Sequence, residues 1–218
     1  MIFLDELLSK TTLAYFLGGL VSLLTITNPL SKIPLFLALT SSMDPDHRRA
    51  QAAKACQYAC LILVVSLFAG VFILKGFGIS YGALRIAGGL TVSIIGYRML
   101  FQVNNEPSTL MHGKSGIAFF PLAMPGISGP GSIAVVIGMS SEIAELRGAA
   151  EIVAYMATVA GILATVFVIW LTLRSARLVS VWIGEEGMDA MSRLMGFLMV
   201  CVGIQFIGSG IKTFIANI

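Results

Sequence analysis

The sequence predicts an all-α protein that crosses a membrane several times, and three observations carry that prediction. Of 218 residues, 57% are apolar and only 11% charged, where soluble domains carry roughly 25% charged residues. The apolar residues are gathered into runs near or above about 18 residues, long enough to cross a bilayer core as helix. Lys and Arg fall mostly between those runs, as they do in membrane-flanking loops. A net charge of +3, dispersed in this way, gives no footprint for nucleic acid. The expected large partner is the lipid bilayer itself.

Six spans follow in order, making one transmembrane domain over residues 1–218. The first runs from about Leu13 to Leu39 and is interrupted between Asn28 and Pro34. A polar loop leads to a helix start at Asp44-Pro45, an N-cap residue followed by a proline whose φ suits the first helical position. The second span covers about Ala52 to Leu74, and a short turn from Lys75 to Ser80 leads into the third, about Gly82 to Val103. Asn104 to Gly116 is the main polar loop and divides the chain in two. The fourth span, Ile117 to Ser140, contains Pro121, Pro125 and Pro130 with Gly126, Gly129 and Gly131. The fifth runs from about Ala150 to Leu173. A basic, then acidic, connection from Arg174 to Asp189 precedes the sixth, about Met191 to Ile215. Trp170 and Trp182 bracket the end of the fifth span, as interfacial anchors do. Asp5 and Glu6 stand where a secretory signal carries basic residues, so the first span is expected to stay in the mature protein.

Spans one and four cannot be continuous helices. Proline removes a backbone donor and clashes one turn back, and glycine adds backbone freedom. Broken backbone at membrane depth is tolerated where protein buries it or where it lines a wet cavity. The halves also resemble each other. Pro29 and Pro34 flank Ser31 as Pro125 and Pro130 flank Ser128, and Arg85-Ile86-Ala87-Gly88 opens span three as Arg193-Leu194-Met195-Gly196 opens span six. Two three-helix units, about 13–103 and about 117–215, would insert in opposite senses, the inverted-repeat plan of many transporters. Arg48, Arg49, Lys54, Lys114, Arg174 and Arg177 lie on one side of this arrangement, against Lys10, Lys75, Arg147 and Lys212 on the other. The positive-inside rule then places the first group in the cytoplasm and both termini outside.

No catalytic constellation stands out, and no enzyme is expected. His47 and His112 lie far apart without metal-ligand spacing. Gly126-Ile127-Ser128-Gly129 lacks the nucleophile-elbow spacing, and no Gly-Lys-Ser/Thr follows Gly129-Pro130-Gly131-Ser132. Cys56, Cys60 and Cys201 all sit in apolar spans and read as core residues, and no metal or cofactor is expected.

A ligand site at the breaks makes better physical sense. The half-helix after a break presents free N–H groups and a partial positive charge of about +0.5, which attracts a carboxylate. The half-helix before it presents carbonyls that suit an ammonium group or Na⁺. Asn28, Pro29, Ser31, Lys32 and Pro34 from the first break, with Pro125, Gly126, Ser128, Gly129, Pro130, Gly131 and Ser132 from the second, are the candidate substrate-binding residues. Thr25 and Thr27 are candidate neighbours. Charges inside spans are costly and default to functional candidates. Lys32 is therefore a candidate cation at the site, and Arg85 and Arg193 are candidates for gating or anion contact. No carboxylate lies deep in any span, so proton coupling through a buried acid has no support, and the coupling ion stays open between H⁺ and Na⁺. Gly88-Gly89, Gly196, Gly203, Gly208 and Gly210 give small-residue faces for close helix packing and would permit a homo-oligomer.

Asn28-Pro29-Leu30-Ser31-Lys32-Ile33-Pro34, Leu84-Arg85-Ile86-Ala87-Gly88-Gly89, Pro121-Leu122-Ala123-Met124-Pro125 with Gly129-Pro130-Gly131, and Ser192-Arg193-Leu194-Met195-Gly196 together resemble the MarC family of integral membrane proteins. The resemblance runs from the first span to the last and is nearest to bacterial inner-membrane members. It implies a transporter of small neutral amino acids, such as glycine and alanine, or of similar zwitterions. It also implies similarity to the LysE-type amino-acid exporters. Lys32 departs from the small or apolar residue expected there and points toward an anion. The rival readings are a channel, an exporter of drugs or metabolites, and a non-transporting scaffold.

Overall fold

The computed structural model describes residues 2–101 and 117–216, and all regular structure among them is helical. Helix α1 (Ile2–Thr27) ends at a short 3₁₀ turn (Pro29–Ser31), which leads into α2 (Lys32–Leu39). Helices α3 (Pro45–Gly76) and α4 (Tyr81–Leu100) follow. A loosely wound π-type segment (Ala118–Ile127) precedes α5 (Pro130–Ile143), and α6 (Ala149–Ala216) completes the chain. Among the described residues, five helical stretches are long and apolar enough to cross a membrane: Ser9–Leu37, Pro45–Gly76, Tyr81–Leu100, Ala149–Gly184 and Asp189–Ile215. The apolar α5 is shorter than these. The expected loop Asn104–Gly116, with His112 and Lys114, lies outside the described residues.

Prolines place the breaks. The residue before a proline is pushed out of the helical region by the ring. Phe120 (φ −124°, ψ 126°), Met124 (φ −125°, ψ 123°), Gly129 (ψ 172°) and Asp44 (ψ 158°) all precede prolines and are extended. Asn28, before Pro29, takes the left-handed region instead (φ 41°, ψ 81°). Pro34 breaks nothing, because it falls in the first turn of α2, where an N–H would have no intrahelical partner. Asp44 caps α3 by accepting the His47 N–H at 3.0 Å.

The connection expected from Arg174 to Asp189 is mostly helix. The first arm of α6 runs on to Ile183, and the turn is confined to Gly184 (φ 72°, ψ 173°), a conformation open essentially to glycine alone. Long straight side chains such as Arg174 and Arg177 favour helix, so polarity by itself did not end it.

Buried stripes on α3 (Ala52, Ala55, Cys56, Ala59, Leu63, Leu67) and on the first arm of α6 (Ile162, Val166, Ile169, Leu173, Ala176) recur at helical spacing and form the core with Leu23, Ile33, Phe36 and Ile127. The opposite faces expose Leu61, Val65, Phe72, Met156, Leu163 and Phe167, as surfaces bathed in lipid do. Cys56 is buried in this core, Cys60 is half-buried and Cys201 is exposed; all three are free thiols.

A second packing unit joins α4 to the second arm of α6. Three pairs of glycines face each other across the two helices: Gly82 with Gly210, Gly89 with Gly203, and Gly96 with Gly196. The rungs run in opposite directions at seven-residue steps, so the helices are antiparallel and the glycines share one face of each. Without a hydrophobic drive between helices in lipid, such close backbone approach supplies the packing energy. Of the glycines expected on these faces, Gly88 packs on Pro130, Gly131 and Ala134, and Gly208 faces open space.

Candidate functional site

The two breaks meet. A small cavity of about 20 Å³ is lined by Lys32 from the first break and by Gly126, Gly129, Pro130, Gly131 and Ser132 from the second. Its remaining walls are Ile26 of α1, Thr91, Val92 and Ile95 of α4, and Met199 of α6. This space suits about one water-sized group. Lys32 is only 8% exposed. Among the described residues, no hydrogen bond or ion pair engages its ammonium group. Gly129 is the N-cap of α5 and has no side chain to cap with, so the first-turn N–H groups of Gly131 and Ser132 lack intrahelical partners. Gly131 is required for closure: a Cβ there would lie 2.6 Å from Val92 Cγ2 and 3.2 Å from Ile26 Cγ2.

Serines occupy the carbonyls that the breaks release. Ser31 donates its hydroxyl to Asn28 O at 2.7 Å and its N–H to the same oxygen at 3.1 Å. Ser128 does the same to Ala123 O, at 2.9 Å and 2.8 Å. The Ser132 hydroxyl donates to Ile127 O at 3.1 Å. Ser31 and Ser128 therefore hold the breaks in shape and do not line the cavity. Asn28 turns away from it and donates Nδ2–H to Met195 Sδ at 3.0 Å, tying the first break to α6. Pro29 and Pro34 shape the backbone nearby, and the Pro125 side chain lies outside the described residues. Thr27 is buried with its hydroxyl on Leu23 O of its own helix.

Above the cavity a larger vestibule of about 680 Å³ runs along α1 from Ala14 to Ile26, a distance of about 18 Å at helical rise. Ile26 is common to both spaces. Arg85 lies in this vestibule, not at the breaks, and its guanidinium stacks 4.4 Å from the centre of the Tyr81 ring. Thr25, Glu142 and Gln205 supply further polar groups. Arg193 lies in neither space and is exposed. Sequence reasoning missed Thr91, Tyr81 and Gln205. The signal for Gln205 was present, as an amide inside an apolar span, whereas Thr91 bonds Ala87 O of its own helix and looks like any helical threonine.

At the opposite end of the bundle Arg48, Arg49, Arg174 and Arg177 border one pocket with Trp182. Arg48 also donates to Thr40 O at 2.9 Å and Met43 O at 3.3 Å, closing the loop after α2. Among the described residues, no group of three or more His, Cys, Asp or Glu could hold a metal ion.

The description "MarC family integral membrane protein" matches residues 13–215. The chain belongs to the MarC family. The inner membrane protein MarC of Escherichia coli K12 is 39% identical over 209 residues, covering 88% of this chain and 92% of the relative. The inner membrane proteins MarC of Shigella flexneri and of Shigella boydii serotype 4 match to the same extent. No solved structure matches the chain. Lys32 and the Gly129-Pro130-Gly131 turn line the same cavity, while Arg85 and Arg193 stand apart from it.

Proposed function

We propose that this MarC-family protein is a secondary transporter of small neutral amino acids or similar small zwitterionic metabolites, not an enzyme. The convergence of two broken segments on one cavity, at the foot of a vestibule, carries the reading. Such an arrangement suits alternating access, with the larger space bordering the smaller one at Ile26. Six crossings arranged as two inverted three-helix repeats, about 13–103 and about 117–215, would place both breaks near the midplane and let one repeat rock against the other. The pairing of α4 with the second arm of α6, the third helices of the two repeats, supports that plan. The inner-membrane placement of the relatives and the gathering of four arginines at one end support a bacterial inner membrane, with that end cytoplasmic and both termini periplasmic.

The test is uptake of labelled glycine and alanine into proteoliposomes by the wild-type protein and by Gly131→Val, whose side chain would press on Val92 and Ile26 in the cavity wall. Counterflow by the wild type and its loss in a folded Gly131→Val protein are expected. Equal transport by both would remove the site from the mechanism, and single-channel conductance in a planar bilayer would replace the carrier with a channel.

A further inference from the structure

Among the described residues Lys32 is the one charged side chain lining the cavity, and two independent features give it the requirements of an anion site. It is more than nine-tenths buried, and among the described residues nothing accepts a bond from its ammonium. It shares the cavity with the uncapped start of α5, a 14-residue helix whose Gly131 and Ser132 N–H groups have no partner among the described residues and whose dipole adds positive potential there. Three carbonyls at the breaks already accept serine bonds, two each at Asn28 O and Ala123 O and one at Ile127 O.

We propose that Lys32 and the first turn of α5 form a carboxylate subsite that selects small monocarboxylate anions over the amino acids of the same size. The inference rests on the transport reading above and changes its preferred substrate from the amino acid to the monocarboxylate. The carboxylate would take the cavity's free volume between the ammonium and the Gly131 and Ser132 N–H groups, with its short tail directed past Ile26 toward the vestibule. A monocarboxylate neutralises the single positive charge of this pocket. The ammonium group of an amino acid adds a second cation beside Lys32, and among the described residues no Asp or Glu lines the cavity to offset it. Glu142, in the vestibule, sits near the far end of α5, about three turns from Ser132.

The deciding experiment compares propionate, alanine and the uncharged propionamide on the purified full-length protein, by equilibrium binding and by uptake into proteoliposomes. Propionate is expected to bind at least tenfold more tightly than alanine, and propionamide not to bind. Lys32→Gln is expected to abolish the preference for propionate, and Lys32→Arg, which keeps the charge, to retain it. Because the wild-type comparison decides by itself, a variant that fails to fold does not protect the proposal. Alanine binding as tightly as propionate, or propionate binding unchanged in Lys32→Gln, overturns the carboxylate subsite and leaves amino-acid transport standing. Failure of every compound to bind or to be taken up overturns both.

Discussion

The glycine seam between α4 and the second arm of α6 makes a prediction whose size follows from distances. A Cβ on Gly89 would lie 2.5 Å from Gly203 O, 2.8 Å from Phe206 Cβ and 2.9 Å from Ile207 Cγ1. Ordinary contact begins near 3.4 Å, so the helices would have to part locally by about 0.9 Å against the backbone oxygen. Backbone atoms cannot swing aside as a side chain can, and overpacking of this kind costs about 1–3 kcal/mol. For a chain of this size that lowers the melting temperature by roughly 2–12 °C. The assay is thermal unfolding in detergent of Gly89→Ala and Gly96→Ala, the latter facing Gly196 O at 2.6 Å. Gly208→Ala is the internal control, since a Cβ there meets nothing within 4 Å and the better helix propensity of alanine should leave stability unchanged or raised. Equal melting temperatures for the seam variants and the control would refute the backbone contact between these helices.

Replacing Lys32 by Met removes an unpaired buried charge at nearly constant length, and the ligand-free protein should gain about 1–3 kcal/mol; a loss of stability on thermal unfolding would mean that the ammonium is satisfied. Asn28 holds φ 41°, so Asn28→Val should destabilise by about 1–2 kcal/mol and Asn28→Gly by much less, an order that chemical unfolding in mixed micelles checks. The Asp44 carboxylate accepts the His47 N–H, and this bond holds its pKa below the ordinary 3.8. A depressed native pKa means that the cap contributes fully above that value and is lost as pH falls through the native one. The stability difference between wild type and Asp44→Ala should therefore be constant near neutrality and shrink below about pH 4, and a difference that grows on acidification would contradict the cap.

The positions of the breaks were legible because their cause is local. A proline acts on the residue before it and on the turn behind it, so Asn28-Pro29, Met124-Pro125 and Gly129-Pro130 could be read without neighbours. Phe120-Pro121 was an additional break in the same run, and it is a cis peptide bond. Pro34 was read as part of the first break, yet it sits inside α2, because a proline in a first turn and a proline that ends a helix look alike until the helix start is known. The chemistry at the breaks was less legible. Ser31, Ser128 and Ser132 carry hydroxyls suited to a ligand, but whether a hydroxyl faces a cavity or a carbonyl a few residues back depends on backbone angles that sequence does not print.

By itself the sequence determined the membrane class, the all-helical composition, the family and the two proline-broken segments, since each follows from composition or from interactions within a few residues. It also pointed to glycine faces on the stretches that form α4 and the second arm of α6. Only the tertiary structure decided which glycines meet, pairing Gly82, Gly89 and Gly96 with Gly210, Gly203 and Gly196 and leaving Gly208 in open space. It likewise decided that Lys32 stands at the start of α5, nearly 100 residues away in sequence, and that Arg85 stands elsewhere, in the vestibule. Proximity between distant segments is set by how whole helices pack, and packing depends on the register of one helix against another, which no single stretch of sequence encodes.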